Sequence, residues 1–484
     1  MKPSRNSAFA VSVGMLASLF PADSAPKAKR MPQLKVSPNH HFIIQDDGKP
    51  FFYLADTAWE LFHRLNRKDA AEYLKTRAGQ GFTAIQAVAL AEEEGLTVPN
   101  AYGKLPLIGK DPAKPATTPG ANPGKPDEYD YWDHVEYIID EANRNGMYIG
   151  LLPTWGRWVV KRANAPGEVI FTVENAQAYG EFLGKRFGKK GVIWILGGDR
   201  ESAGFEDVWR SLAKGIAIGA AGKEDYDAVF MGFHPRGGGT SSTSFHTDAW
   251  LDVNMQQTGH GLAEQVQSWA KIAKDYQLDP PKPVIDAEPL YEDHPLAFQS
   301  RINGYSLDAH IRQRAYWDLF AGACGHTYGN HAVWQFYAPG RKPVNGPLMY
   351  WQDAVHRPGA NEMQYVRQLI ESRPILSRVP DQSLIQDELQ GADHISATRG
   401  DGYAFIYDAQ GRPFTVNMGK ISGERVKARW FNPRSGDSTE AGEFQNQGAH
   451  GFVAPSEGLS SDWVLILDDA SKGFQAPVKR GIRQ

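Results

Sequence analysis

Two acidic residues stand at the ends of apolar runs, where β-strands would deliver them to one rim of a sheet. Asp199 closes the run VIWILGGD, and Glu288 lies in PVIDAEPLYE. Two carboxyl groups facing each other across a cleft can divide the work of glycoside hydrolysis: one protonates the leaving oxygen while the other attacks, or activates water. Their surroundings predict different charge states. Asp199 follows an apolar run and two glycines, which predicts a desolvated carboxyl able to hold a proton as general acid. Glu288, with Tyr291 nearby, is expected to be held ionised by hydrogen bonds, as a nucleophile requires. Glu201 is a rival proton donor close to Asp199, and either acid could instead be the ion-pair partner of a base such as Arg200.

Other chemistries find less support. His40, His41, His234, His246, Asp248 and His260 lack the tight spacing of a zinc-hydrolase motif, so no metal ligand set and no cofactor is expected. The run Gly237-Gly238-Gly239 is not followed by a helix with dinucleotide-binding glycine spacing, and no GxSxG nucleophile elbow occurs. The single cysteine, Cys324, lies in an apolar helical run and reads as a small core residue.

Positioning two acids on one rim requires a sheet whose strands all run the same way. Between residues 51 and 371, short apolar runs alternate with amphipathic stretches, the signature of repeated βα units. Eight runs can be counted: 51–59, 83–90, 148–155, 192–199, 228–235, 253–260, 283–292 and 326–334. Eight such units predict a (β/α)₈ TIM barrel, whose active sites form at the C-terminal ends of the strands. Helices are expected over 67–79, 130–145 and 175–187, each stopped by glycine. Two long insertions, 99–127 and 237–244, fall on the strand C-terminal side.

The barrel rule then selects candidate substrate-binding residues at strand ends. They are Asp56, Trp59, Gln86, Trp155, His234, Gln256, Tyr291, His331 and Trp334, with Trp158, Arg200, Gln257, His260 and Asn330 close by. The chain holds 13 Trp, and indoles beyond core needs often line sites where sugar rings stack. A satisfied core residue is the competing reading for each histidine.

Over 484 residues the chain can bury two cores, and 41% hydrophobic with 22% charged residues is ordinary for a globular protein. A net charge of −4 offers no basic surface for nucleic acid or an anionic membrane. Residues 1–25 place Lys2 and Arg5 before an apolar stretch and a small-residue cleavage site, which predicts a signal peptide and a periplasmic or secreted protein. That stretch is too short for a permanent anchor, and no other run approaches the ~20 apolar residues of a membrane span. The barrel is expected over 34–375, opening with a hairpin near 34–47 that caps its closed end. Short alternating strands split by turns then predict a small all-β sandwich over 384–468 and a flexible tail over 470–484.

The stretches YLADTAWELFHRL, YWDHVEYIIDEANRNGMYIGLLPTWG, WILGGDRE, FHPRG, WLDVNMQQTGH, DAEPLYE and YGNHAVWQF occur in an order that resembles the bacterial apiosidase-like family, glycoside hydrolase family 140, formerly a domain of unknown function. The sandwich, with WFNPRSGD, resembles the collagen-binding type of domain that commonly follows this barrel; no collagen function is drawn from that name. The resemblance implies hydrolysis of glycosidic bonds to a furanose or related sugar in plant cell-wall pectin, typified by apiose in rhamnogalacturonan-II. It also implies a retaining mechanism with Asp199 as acid/base and Glu288 as nucleophile, and an oligosaccharide or polysaccharide as partner. One departure from the wider clan of barrel glycosidases stands out: its usual Asn-Glu on the fourth strand is Gly198-Asp199 here. Competing readings are a non-catalytic carbohydrate-binding protein, a glycosidase for a different furanoside or pyranoside, and a lyase or esterase.

Overall fold

A computed structural model describes residues 30–161, 168–387 and 389–478. The expected signal peptide lies outside the described residues. Eight short parallel strands form the barrel: Tyr53–Thr57, Ala84–Val88, Tyr148–Leu152, Val192–Gly197, Met231–His234, Asn254–Gln256, Val284–Asp286 and Gly325–Tyr328. Almost every residue in them is buried, because helices cover the outside and side chains fill the interior, so the runs read as continuously apolar instead of alternating. The ring is laddered everywhere except between its fifth and sixth strands, which meet at a single parallel bridge, Gly232 with Val253.

The first two long helices begin where the sequence supplies caps. Asn66 accepts from the Asp69 backbone N–H at 2.9 Å to start Arg67–Gly79, and Asp130 and Asp133 form a capping box on Tyr131–Arg144. Helices Val173–Phe187 and Glu206–Ala221 meet backbone to backbone: a Cβ added to Gly184 would lie 2.2 Å from the Ile216 carbonyl oxygen. Strands Leu34–Val36 and Ile43–Gln45 form the expected hairpin. Tyr148, which starts the third barrel strand, donates to the Pro32 carbonyl, so this segment lies at the N-terminal end of the barrel, away from the mouth. The 99–127 insertion carries two 3₁₀ turns, and the 237–244 insertion ends in the helical turn Ser242–Phe245.

The C-terminal region is a six-stranded antiparallel sheet in the order Val379–Pro380, Ile395–Gly400, Tyr403–Asp408, Trp463–Asp469, Arg425–Phe431 and Ser438–Gln445. The pair Phe414–Asn417 and Ala449–Phe452 covers one face, where Ile406, Val416, Leu465 and Phe452 share a small core. The opposite face carries Tyr403, Phe405, Tyr407, Val464 and Ile466 into the barrel's own core. Tyr407 stacks on Tyr316 of helix Asp308–Phe320 with ring centroids 4.8 Å apart. Arg312 of the same helix is fully buried and pairs with Asp462 at 2.9 Å and Glu362 at 2.5 Å, and Arg373 pairs with Asp468 at 2.6 Å. Losing one partner of such a buried pair costs about 3–5 kcal/mol. The first part of the expected tail is docked as well: Phe474 lies under the Arg373 guanidinium, and Gln368 donates to the Pro477 carbonyl at 3.0 Å. Residues 479–484 lie outside the described residues.

Candidate active site

At the C-terminal mouth of the barrel lies a cavity of about 620 Å³ lined by Asp199 and Glu288 and by Trp59, Trp155, Tyr291 and Trp334. A volume of this order holds a small ligand.

Glu288 follows the seventh strand, and almost all of it is buried. Gln257 donates to its Oε2 at 3.0 Å, His234 Nε2 faces the same oxygen at 3.2 Å, and His260 Nε2 faces Oε1 at 3.3 Å. Burial alone would raise its pKa, but hydrogen bonds and positive charge from the two histidines overcome that and hold the carboxyl well below the usual range. Its backbone is pinned on both sides. Asp286 Oδ1 accepts from the Glu288 and Thr258 N–H groups at 3.3 and 3.2 Å, and Gln86 donates to the Ala287 carbonyl at 3.0 Å. Tyr291 receives the Trp59 indole N–H at 3.0 Å, and burial together with the charge on Glu288 pushes its phenol well above the ordinary value. The ring fits because residue 329 is glycine: a Cβ there would lie 2.2 Å from Tyr291 Cδ1.

Asp199 is set differently. Gly197, Gly198 and Asp199 have φ of +94°, +120° and +49°, so the chain turns sharply as the fourth strand ends. A Cβ on Gly197 would lie 2.2 Å from the His234 carbonyl oxygen, and one on Gly198 2.8 Å from the Trp155 ring. Close approach thus accounts for the two glycines. The Asp199 carboxylate is about one-third exposed, pairs with Arg200 Nη1 at 2.8 Å and accepts the Gly237 N–H at 3.3 Å. This corrects the expected desolvated setting: the chain reverses so tightly that the side chain stands in the open cavity beside a cation. A Cβ at Gly237 would lie 3.9 Å from Asp199 Oδ1 and 4.0 Å from Gln257 Nε2, so Asp199 and the amide that holds Glu288 border one gap.

Replacing Gly198 by Ala should therefore damage both fold and site. The methyl group would drive into the Trp155 ring and the Gly156 N–H in a left-handed backbone, costing about 2–3 kcal/mol. A thermal melt paired with kcat/KM on one preparation tests this. The expected result is a lower Tm with at least ~10-fold less activity, and wild-type values for both would refute it.

Of the expected substrate contacts, Trp59, Trp155, Tyr291, His331 and Trp334 do line the cavity. His331 accepts the Trp334 indole N–H through Nδ1 at 3.3 Å and faces the Asn345 carbonyl through Nε2 at 3.2 Å, with its pKa lowered to about 4 by burial. His234 is fully buried and touches Glu288 without lining the cavity, so it supports the carboxylate and does not reach a ligand.

Three expected contacts lie elsewhere. Asp56 is buried against Arg77 at 2.6 Å and Tyr73 at 2.5 Å, because its strand position points at the surrounding helix Arg67–Gly79. Gln86 is consumed by the Ala287 carbonyl and Thr327 inside the barrel, and Gln256 donates to Asp275 at 2.6 Å. Trp158 and Asn330 are likewise buried braces, bonded to the Leu90 carbonyl and to Asp293. Glu201, the rival acid, is half-exposed and lies 3.6 Å from Arg236, outside the cavity lining. Among the described residues no group of three His, Cys, Asp or Glu side chains is placed to hold a metal ion.

The cavity also holds residues that the sequence reading passed over. Glu92 lies on the loop after the second strand, and its Oε1 accepts from Arg200 Nη2 at 3.1 Å, so one guanidinium spans Glu92 and Asp199. His294 stacks on His260 with centroids 4.0 Å apart, and Phe298 stands exposed at the rim. Glu92 sits in the triplet EEE, which reads as a solvated run; its position directly past a strand end was the available signal.

A family model described as "Apiosidase-like, catalytic domain" matches residues 37–377, and one described as "Putative collagen-binding domain of a collagenase" matches residues 379–468. A solved structure described as a glycoside hydrolase is 34% identical, with a TM-score of 0.81, over 92% of this chain and 98% of that one. Another, described as a glycoside hydrolase family 5 protein from Bacteroides vulgatus ATCC 8482, is 33% identical with a TM-score of 0.82, over 93% and 98%. No curated protein matches the chain.

Proposed function

The chain belongs to the apiosidase-like family and is a glycoside hydrolase; from that premise we propose that it is an exported enzyme releasing a furanose or related sugar from plant cell-wall pectin, with retention of configuration. Glu288 is the nucleophile and Asp199 the acid/base. The observation that carries this reading is the contrast between the two carboxyls. One is buried, accepts a hydrogen bond from Gln257 and faces two histidines that hold it ionised, and the other stands in the cavity beside a cation.

In the first step Glu288 attacks the anomeric carbon while Asp199 gives its proton to the departing oxygen, leaving a glycosyl ester on Glu288. In the second, ionised Asp199 takes a proton from water, the hydroxide attacks the same carbon, and Glu288 leaves as carboxylate. The donors around Glu288 lower its ground-state basicity, but they also stabilise it as the leaving group of the second step. Trp59, Trp155, Tyr291 and Trp334 present apolar faces and polar edges to the sugar ring.

The test is incubation with a panel of plant and algal polysaccharides, including rhamnogalacturonan-II. Released sugars are identified by chromatography, and the anomer formed first is read by NMR. Release of a furanose from pectin as the retained anomer is expected. An inverted first product would remove Glu288 as nucleophile, and release only from non-pectic polymers would remove the substrate assignment.

A further inference from the structure

Phe298 lines the cavity yet stands in solvent: it is 62% exposed, while Trp59, Trp155 and Tyr291 in the same wall are buried. It sits on the loop that follows the seventh strand and Glu288. Its ring packs beside His294 and His260, with centroids 4.8 and 5.7 Å away and planes at 88° and 71°, so neither imidazole stacks flat on it. His260 in turn faces Glu288 Oε1 at 3.3 Å, which puts the phenyl ring one side chain beyond that carboxylate.

The ring is held outward by a strained turn. Ala297 and Phe298 have φ of +52° and +60°, a left-handed pair that residues other than glycine rarely adopt, and burial of the ring does not offset that strain. Hydrogen bonds fix the turn instead. The Ala297 N–H donates to the His260 carbonyl at 2.8 Å, the Phe298 N–H to the Pro295 carbonyl at 2.9 Å, and the Asn303 side-chain amide to the Leu296 carbonyl at 3.2 Å. Leu296 is the buried anchor at its start. A ring presented on a turn tied in this way has little freedom to lose when something stacks on it.

We propose that Phe298 is the stacking platform of a second sugar subsite, holding the ring that adjoins the one whose bond is cut. This rests on the cavity being the catalytic site, and not on which polymer supplies the sugars. The C–H face of a sugar ring is apolar and covers a flat aromatic face, while its hydroxyls turn outward to polar partners. Gln265 and Asn345 stand exposed in the same lining and can serve as such partners. Because Phe298 and Glu288 share one cavity, the occupant of the platform is a further sugar of the substrate and not a separate ligand. The enzyme then reads a glycosidic bond together with its neighbour, and a chain is a better substrate than a single glycoside.

The experiment compares kcat/KM on two substrates for wild type, Phe298→Ala, Phe298→Leu and Phe298→Trp. One substrate is rhamnogalacturonan-II, or whichever polymer of the panel the wild type cuts; the other is the glycosyl fluoride of the sugar it releases, which carries no second ring. In Phe298→Ala the ratio of polymer to fluoride should fall about 10-fold, through a higher KM on the polymer. Phe298→Leu keeps an apolar contact with His294 but has no flat face, and should fall as far. Phe298→Trp should keep the wild-type ratio. A ring that only packs its loop would lower both substrates by one factor in Phe298→Ala and would be rescued by leucine. An unmoved ratio in Phe298→Ala, or a wild-type ratio in Phe298→Leu, overturns the proposal. A wild-type dimer that Phe298→Ala dissociates in light scattering also overturns it, since a second copy would then cover the ring. Glu288→Ala separates the two levels: an unmoved ratio with Glu288→Ala inactive removes only the platform, whereas wild-type hydrolysis in Glu288→Ala removes the catalytic site on which it rests.

Discussion

Glu288→Ala should lose on the order of 10⁴-fold or more in kcat, about 5.5 kcal/mol of barrier. The loss follows from geometry. Nothing else described in the cavity wall combines a buried carboxylate with a donated amide and two facing histidines, and none of Gln257, His234 and His260 can replace it as an oxygen nucleophile that leaves again. The fold should tolerate the change to a small residue, because the backbone at 288 is held by Asp286 and by the Gly259 N–H, not by the side chain. Azide added to Glu288→Gly should restore turnover and yield a glycosyl azide of inverted configuration, since the anion then attacks from the side where Glu288 stood. An unchanged rate in Glu288→Ala, or rescue with retention, would end the assignment. The wild-type pH profile carries the same information. Burial pushes this carboxyl up, but His234 and His260 hold it far below the ordinary range, so it stays ionised in acid. Activity should persist below about pH 4.3, where an ordinary glutamate would already be half protonated.

Asp199→Ala is the second large effect, and its size should depend on the leaving group. A general acid contributes roughly 10²–10⁴-fold, so natural glycosides with poor leaving groups should lose that much in kcat/KM. Activated aryl glycosides need no proton, and their first step should be nearly unaffected. Their second step should stall without a base, giving a burst of released phenol followed by slow turnover. Azide should then accelerate turnover with retained configuration, the opposite stereochemistry from that at Glu288. Equal losses for good and poor leaving groups would show that Asp199 donates no proton.

The barrel was legible because its strands are buried on both faces and helices Arg67–Gly79, Tyr131–Arg144 and Val173–Phe187 begin at side-chain caps; both are local features that leave marks in sequence. The rim rule placed Trp59, Trp155, Asp199, Glu288, Tyr291, His331 and Trp334 at the cavity for the same reason. It failed for Asp56, Gln86 and Gln256 because a strand-end side chain can also turn toward a helix or into the barrel interior, and which way it turns depends on partners far away in the chain, such as Arg77, Ala287 and Asp275. Glu92 was invisible for a related reason. Its significance comes from Arg200, and nothing in the local run of three glutamates announces a guanidinium from another loop. The desolvation expected at Asp199 rested on the apolar run before it; three successive positive φ values turn its side chain away from that run and into the cavity.

The six-stranded sheet has no face of its own to spare, since one side belongs to its covering strand pair and the other to the barrel's outer helix Asp308–Phe320. Cutting away the C-terminal segment would leave helix Asp308–Phe320 with its aromatic flank and the Arg312 charge uncovered, so the two parts stand or fall as one folded body.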